Sequence, residues 1–253
     1  MKKLILSLTL AGAAALAAKA STVASANTFG VLKVESAAAQ TIICVPWVAV
    51  SAASDAAIKV SDLVMTSNLT KAGTYDEKPY SGDMLYYYDS TAKEYRAWFL
   101  NSAGNWEATK SVTVDGVTPG TEASDQTAPR GNALIVVRKD TSTPIYLYGQ
   151  YTSTASDEQS LTPGAFNLIA PPTPSSSDLD LNGSSVTWSG VHKDDVIKVQ
   201  NAQGEFINLI RDSENKEWGF FAKGVWTKSA SIRPGLGAWY VAAAGSTAKV
   251  TFN

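Results

Sequence analysis

The side chains that most often carry catalysis are scarce in this sequence, which has one histidine, His192, and one cysteine, Cys44. A Ser-His-Asp triad would have to use His192, but no Gly-x-Ser-x-Gly turn accompanies it. One histidine and one distant cysteine also cannot assemble a zinc site, and the sequence has no glycine-rich phosphate loop. We therefore expect His192 in an exposed turn. We expect Cys44, which has apolar neighbours on both sides, as a buried small hydrophobe; a catalytic or intermolecular thiol is the alternative.

Paired carboxylates are the other common catalytic device, because two of them facing each other across a cleft can hydrolyse glycosides. The candidate glutamates lie in or beside turns, and no spacing places two of them across a cleft: Glu94, Glu205, Glu214 and Glu217. Solvated charge is the interpretation that we adopt for them. The sequence therefore predicts that the protein is not an enzyme.

One short segment has the spacing of a metal-binding loop. Asp178, Asp180 and Asn182 alternate and are followed by Gly183, which matches the first half of a calcium loop. The residue that should close the coordination shell is Ser189 instead of a glutamate. The alternating leucines and the Asn-Gly pair equally predict a strand that enters a hairpin. Calcium bound by these three side chains is therefore a hypothesis, and we predict no other cofactor.

Aromatic residues are the remaining source of chemistry, with seven tryptophans and ten tyrosines in the chain. Exposed rings could stack on sugars, whereas buried rings would fill two small cores at about 150–250 Å² each. Trp106 and Trp218 occupy matching places in the two halves of the chain, which favours the core for both. Trp188 and Trp226 lie beside polar turns, so we predict them as the binding residues.

The elements that must position these residues are short strands separated by turn formers, which is typical of an all-β protein. We expect strands at residues 29–34, 41–50 and 58–65, and a hairpin that joins 84–88 to 95–100. No sustained helical spacing of apolar residues follows the N-terminal segment.

A turn that leads directly into an apolar strand occurs twice, with Gly131 opposite Gly235 and Val137 opposite Val241. Other features recur in the same order, with Pro46 opposite Pro171 and Trp106 opposite Trp218. We therefore predict two tandem related β-sandwich or barrel-like repeats. Their expected bounds are 27–150 and 165–253, with a polar linker at 151–164.

Each half resembles a β repeat of bacterial secreted and surface proteins. In that repeat an apolar strand ending in Leu-Ile-x-x-Pro precedes a hairpin and a Pro-Gly turn before an aromatic strand. Here the matching pieces are Leu168-Ile169-Ala170-Pro171, residues 195–210, and Pro234-Gly235 to Val241. The first half departs from the pattern at Cys44-Val45-Pro46 and at Pro129-Arg130-Gly131. The resemblance implies a surface role and assigns no catalytic residue.

The N-terminal segment predicts export. Residues 1–26 combine a positive start at Lys2 and Lys3, an apolar run that is followed by Lys19, and Ala24-Ser25-Ala26, which is typical of a cleaved signal peptide. Cleavage leaves 18 basic and 23 acidic residues, a formal charge of −5. A mildly acidic chain without a basic stripe argues against nucleic acid as a partner. We also expect no transmembrane helix after cleavage.

Together these features predict a non-catalytic structural or adhesive protein, secreted by a bacterium or held on its cell surface. Its expected partners are components of the cell envelope or extracellular matrix. The alternative is a carbohydrate-binding module that uses exposed aromatic rings, with or without calcium. The sequence does not favour one oligomeric state over another.

Overall fold

The computed structural model describes residues 28–35, 39–46, 58–72, 81–89, 93–108, 127–128, 130–151 and 157–253. Nearly all regular structure in these ranges is antiparallel β-sheet, so the all-β prediction is confirmed. The predicted signal peptide, residues 1–26, lies outside the described residues.

We use "first half" for the strands that precede residue 152 and "second half" for those that follow residue 156. The first half contains β1 (Thr28–Val34), β2 (Gln40–Cys44), β3 (Ile58–Lys59), α1 (Val60–Leu63), β4 (Met84–Asp89), β5 (Glu94–Leu100), β6 (Trp106–Ala108), β7 (Thr127–Ala128), β8 (Ala133–Val137) and β9 (Ile145–Tyr151). The second half contains β10 (Asp157–Ser160), β11 (Phe166–Ile169), β12 (Leu179–Asp180), β13 (Val186–Ser189), β14 (Val196–Gln200), β15 (Phe206–Arg211), β16 (Trp218–Ala222), β17 (Val225–Thr227), β18 (Ser231–Ile232), β19 (Ala238–Val241) and β20 (Lys249–Phe252).

The main sheet of each half has its strands in the same order. That order is β2-β8-β4-β5-β6 in the first half and β11-β19-β14-β15-β16 in the second, where β17 extends the outer edge. The smaller sheets correspond as well, because β3 pairs with β7 as β12 pairs with β18, and β1 pairs with β9 as β10 pairs with β20. The predicted hairpin is present as β4 and β5. Superposition of the two halves as related units stays a prediction.

The ladder registers correct one residue of the expected correspondence. Val137 and Val241, which the sequence matches, each pair with a residue of the first strand of their sheet. Counting along those strands aligns Pro46 with Pro172 and not with Pro171. The difference matters because a shift of one residue along a strand moves every side chain to the opposite face.

Two other matched pairs have the expected surroundings. Trp106 and Trp218 begin β6 and β16 and are fully buried, as predicted. Gly131 and Gly235 both have positive φ, at 81° and 75°. Glycine suits these turns because a side chain disfavours that backbone conformation.

The segment predicted as a strand at residues 58–65 is mostly a helical turn. Only Ile58 and Lys59 are in a strand, and α1 follows at once. The burial pattern explains the difference, since Val60 and Leu63 are buried while the two residues between them are exposed. Buried positions three residues apart fit a helical turn, whereas a half-buried strand alternates.

The segment predicted as a linker, residues 151–164, contains β10. This strand pairs with β20 over four residues and so belongs to a sheet of the second half. Strand β9 ends at Tyr151 and pairs with β1, so no sheet of the described chain runs continuously through the segment.

The core is shared between the halves. One cluster of buried apolar side chains includes Ile43 and Trp106 of the first half and Ile169 and Trp218 of the second. We expected two small cores, and the contiguous cluster shows that the halves pack closely against each other.

In the described part of the chain, no helix is long and apolar enough to cross a membrane.

Candidate functional site

The one histidine lies in a turn. His192 Nδ1 is 3.3 Å from the backbone nitrogen of Asp194, which donates to it, and 3.6 Å from Asp194 Oδ2. The backbone nitrogen of His192 donates to Asp195 Oδ2 at 2.7 Å. These contacts are typical of a turn, and they orient the imidazole towards solvent-facing Asp194 rather than towards a nucleophile.

The one cysteine is deep in the core. Cys44 is buried in β2, and burial raises the pKa of its thiol to about 12. The thiolate is the nucleophilic form of cysteine, and a thiol with this pKa stays protonated at neutral pH. Cys44 is therefore a packing residue in the native chain.

The candidate calcium ligands make other contacts. Asn182 Nδ2 donates to the carbonyl oxygen of Trp218 at 2.9 Å, and Asn182 Oδ1 accepts from the Trp218 nitrogen at 2.7 Å. Asp180 Oδ1 accepts from the Asn182 nitrogen at 2.9 Å, and Asp178 Oδ2 accepts from Ser231 Oγ at 3.3 Å. Among the described residues, no three or more His, Cys, Asp or Glu side chains are grouped so that they could hold a metal ion. The segment forms β12 and a turn that docks onto β16.

Two of the candidate glutamates contact an amide or a lysine. Glu205 accepts from Asn201 Nδ2 at 2.9 Å, and Glu217 lies 2.7 Å from Lys228 Nζ. Both pairs join exposed or half-buried side chains next to turns, which agrees with the interpretation as solvated charge.

Trp188, one of the two predicted binding residues, packs inward. Its ring stacks on Tyr240 at 5.7 Å between centroids and meets Trp218 edge-on at 5.3 Å. Its indole nitrogen donates to the carbonyl oxygen of Leu181 at 2.9 Å. With one ring face covered and its polar atom bonded, Trp188 is better suited to the core than to a ligand platform.

Trp226, the other predicted binding residue, lies on the hairpin of β16 and β17. Its ring contacts Phe221, directly opposite on the ladder, at 5.2 Å between centroids. Phe221 and Val225 are 62% and 67% exposed. The turn residues Lys223 and Gly224 both have positive φ, as tight two-residue hairpins require. The tip of this hairpin therefore presents apolar side chains to solvent.

A second exposed aromatic surface was not predicted from the sequence. Tyr95, Phe166 and Phe206 are each between 41% and 45% exposed. They surround a concavity of about 250 Å³, which we call the aromatic cleft. The cleft is lined by Gln40, Tyr95, Phe166, Lys198, Phe206 and Trp239.

Ring contacts connect the two main sheets beneath this cleft. Tyr88 and Tyr95 are cross-strand partners of β4 and β5, with ring centroids 4.8 Å apart. Tyr88 meets Trp239 of β19 edge-on at 5.4 Å, and Trp239 meets Phe166 of β11 at 5.8 Å. Offset and edge-on contacts of this kind stabilise aromatic pairs beyond the area that they bury. The rings thus form one continuous row from the first half to the second.

Lys198 provides the charge of the cleft. It lies opposite Trp239 on the ladder, and its Nζ is 6.0 Å from the centroid of the Phe166 ring. That distance is at the limit of a cation–π contact. None of the ion pairs formed between described residues includes Lys198.

Hydrogen bonds between the halves hold β2, the strand that contributes Gln40 to the cleft. Gln200 Oε1 accepts from the Ile42 nitrogen at 3.0 Å, and Gln200 Nε2 donates to the Gln40 carbonyl oxygen at 2.7 Å. The Cys44 nitrogen donates to the Gly235 carbonyl oxygen at 2.9 Å, and the Gly237 nitrogen donates to the Ile42 carbonyl oxygen at 3.0 Å. The outer edge of β2 is therefore bonded to the second half.

A buried carboxylate, Asp195, supports the second-half sheet. Asp195 Oδ2 accepts from Tyr240 Oη at 2.6 Å, Ser246 Oγ at 2.8 Å and the His192 nitrogen at 2.7 Å. Its Oδ1 accepts from the Ala243 nitrogen at 2.7 Å. Burial, followed by the hydrogen bond to Asp195, raises the pKa of Tyr240.

The corresponding carboxylate of the first half is Asp83, also fully buried. Its Oδ1 accepts from the Lys139 nitrogen at 2.7 Å, and its Oδ2 accepts from the Thr70 nitrogen at 3.1 Å. Both aspartates precede the first strand of a hairpin, so they fasten equivalent loops in the two sheets.

Comparison with protein-family models, curated proteins and solved structures found no match for this chain.

Proposed function

We propose that this chain is a non-catalytic structural or adhesive protein, secreted by a bacterium or held on its cell surface. The observation that supports the proposal best is the aromatic cleft. Tyr95, Phe166 and Phe206 are large, exposed rings that project from antiparallel strands. Rigid aromatic side chains provide contact area at a low cost in conformational entropy, which favours binding.

The side chains with catalytic potential support the same proposal. His192 contacts Asp194 in an exposed turn, and the thiol of Cys44 is buried and protonated at neutral pH. General acid–base and nucleophilic catalysis need groups that converge with suitable pKa values. Binding makes no such demand on the side chains. The predicted export through residues 1–26 supports proposed partners in the cell envelope or the extracellular matrix.

A carbohydrate-binding module is the second candidate, and the exposed rings of the cleft specifically favour it. Sugars present apolar faces that stack on aromatic side chains, while their hydroxyl groups bond to amides such as Gln40. Calcium is not needed for this mode of binding. The two candidates differ in whether a glycan alone is sufficient as a ligand.

Localisation and adhesion assays test the proposal. Protease treatment of intact cells should digest the protein, and beads coated with the mature chain should adhere to whole cells or to extracted matrix. Beads coated with the Tyr95→Ala, Phe206→Ala double variant should adhere less, whereas His192→Ala should adhere normally. Confinement to the cytoplasm, or hydrolysis of a glycan or peptide that depends on His192, would contradict the proposal.

A further inference from the structure

We infer that the aromatic cleft binds an acidic sugar, with the sugar ring stacked on aromatic side chains and its carboxylate paired with Lys198. This inference rests on the proposed binding function and goes further by naming the site and the ligand class. The predicted residues Trp188 and Trp226 lie outside the residues that line the cleft.

The rings provide an apolar platform of the right size. Phe166 and Tyr95 come from different halves and are equally exposed, at 45%. The cleft volume of about 250 Å³ lies just below the range of about 300–1,000 Å³ that is common for drug-sized ligands. It therefore suits one or two sugar rings of a longer chain whose remainder extends into solvent.

Lys198 selects for negative charge. Its ammonium group lies beside the Phe166 ring and takes part in none of the ion pairs of the described chain. The chain as a whole is acidic, whereas the one charged side chain among the described residues that line the cleft is the cation Lys198. A carboxylate on the ligand would form a charge-assisted hydrogen bond with it, and such bonds are stronger than neutral ones.

The hydrogen bonding of β2 disfavours an extended peptide that would pair with this strand. A peptide that adds to a sheet needs unpaired backbone groups along an edge strand. At β2 these groups already bond to the second half, through Gln200, Gly235 and Gly237. The side chains that line the cleft are rings, one amide and one ammonium group, and groups of these kinds can recognise an acidic sugar.

The test measures binding of the mature full-length chain to tetragalacturonate and to its fully methyl-esterified form, which has no charge. Calorimetry should give tighter binding of the acid form. Lys198→Gln should weaken binding of the acid form by about 10- to 100-fold, the range for a lost hydrogen bond to a charged group, with little change for the ester. Phe166→Ala should weaken both. Phe221→Ala, which removes an exposed ring outside the cleft, is the matched control and should change neither.

Thermal unfolding of each variant separates loss of the site from loss of the fold. Equal binding of the two sugars, or unchanged binding by Lys198→Gln, would overturn the inferred ligand class. Loss of binding in Phe221→Ala with normal binding in Phe166→Ala would overturn the inferred site. If neither sugar binds while coated beads still adhere to cells, the inference fails and the proposed function stands. If adhesion is absent too, both fail.

Discussion

Replacement of Asp195 by asparagine tests the role of the buried carboxylate. The change keeps the shape of the side chain but exchanges one acceptor oxygen for an NH₂ group. Asp195 Oδ1 faces the Ala243 nitrogen, and Oδ2 faces the His192 nitrogen and two hydroxyl groups. In either orientation of the amide, its NH₂ group therefore meets a backbone N–H, and at least one buried donor loses its acceptor.

The expected cost follows from the number of bonds. A hydrogen bond to a charged group contributes roughly 1.5–3 kcal/mol, and an unsatisfied buried donor costs about 1–3 kcal/mol. Four donors bond to Asp195, so we expect Asp195→Asn to lower the free energy of unfolding by about 4–5 kcal/mol. This is a large fraction of the roughly 5–15 kcal/mol that is typical of native proteins.

Asp83→Asn is the matched control in the first half. Asp83 accepts two backbone N–H bonds and no hydroxyl bond, so its replacement should cost about 2 kcal/mol less than that of Asp195. Urea unfolding, monitored by tryptophan fluorescence, gives the midpoint and slope from which both values are obtained. Equal losses for the two variants, or a loss below about 1 kcal/mol for Asp195→Asn, would refute the reasoning.

Three further predictions concern stability and processing. Gly235→Val should lower the unfolding midpoint more than Gly224→Val. Both glycines have positive φ, but only a side chain at 235 would meet a neighbour, with its Cβ 2.5 Å from Val34 Cγ2. Equal midpoints for the two variants would contradict this prediction. Burial raises the pKa of the Cys44 thiol in the folded chain from 9.0 to about 12. The protonated thiol therefore contributes fully to the free energy of unfolding below pH 9. This contribution is lost between pH 9 and pH 12, by up to about 1.4 kcal/mol per pH unit. Urea titrations of wild type and Cys44→Ala should show this difference, and rapid labelling of the native thiol at pH 8 would argue against it. Intact-mass analysis of exported protein should give a chain that begins at Asn27, whereas a retained Met1 would exclude the predicted cleavage.

Turn chemistry and alternation carried much of the fold prediction. Tyrosine-rich and tryptophan-rich runs on either side of a turn predicted the hairpin of β4 and β5, which is present. The same rules missed α1. Ile58 and Val60 lie two residues apart, as in a strand, and only the next buried position, Leu63, lies three residues further on, as in a helix. A window of a few apolar residues does not distinguish a strand end from a helical turn.

Trp188 shows how local context misled the site prediction. The polar turn that follows it favoured an exposed position. Its strand carried the opposite signal, since Val186 lies two residues earlier on the same face and is buried. The half-buried indole also found an acceptor in the Leu181 carbonyl group. Periodicity within the strand would have been the better guide.

The aromatic cleft depends on contacts that no local pattern specifies. Alternation along β5 places Tyr95 on the same face as Phe99, but it does not indicate that Tyr95 stays exposed while Phe99 is buried among other side chains of the first half. Phe166 approaches the first half only because of how the two main sheets pack, and Lys198 is positioned by its ladder partner Trp239. These are long-range properties of the packed halves.

The two halves pack against each other reciprocally, and this packing bears on the proposed site. A side chain at Gly235 would meet Leu32 and Val34 of β1, and one at Gly131 would meet β10. Each half thus places a glycine turn against the first strand of the other. The Gly235 turn also bonds to the edge of β2, the strand that contributes Gln40 to the cleft. Because Gln40 and Tyr95 come from the first half and the other lining residues come from the second, the geometry of the site depends on the pair and not on either half alone.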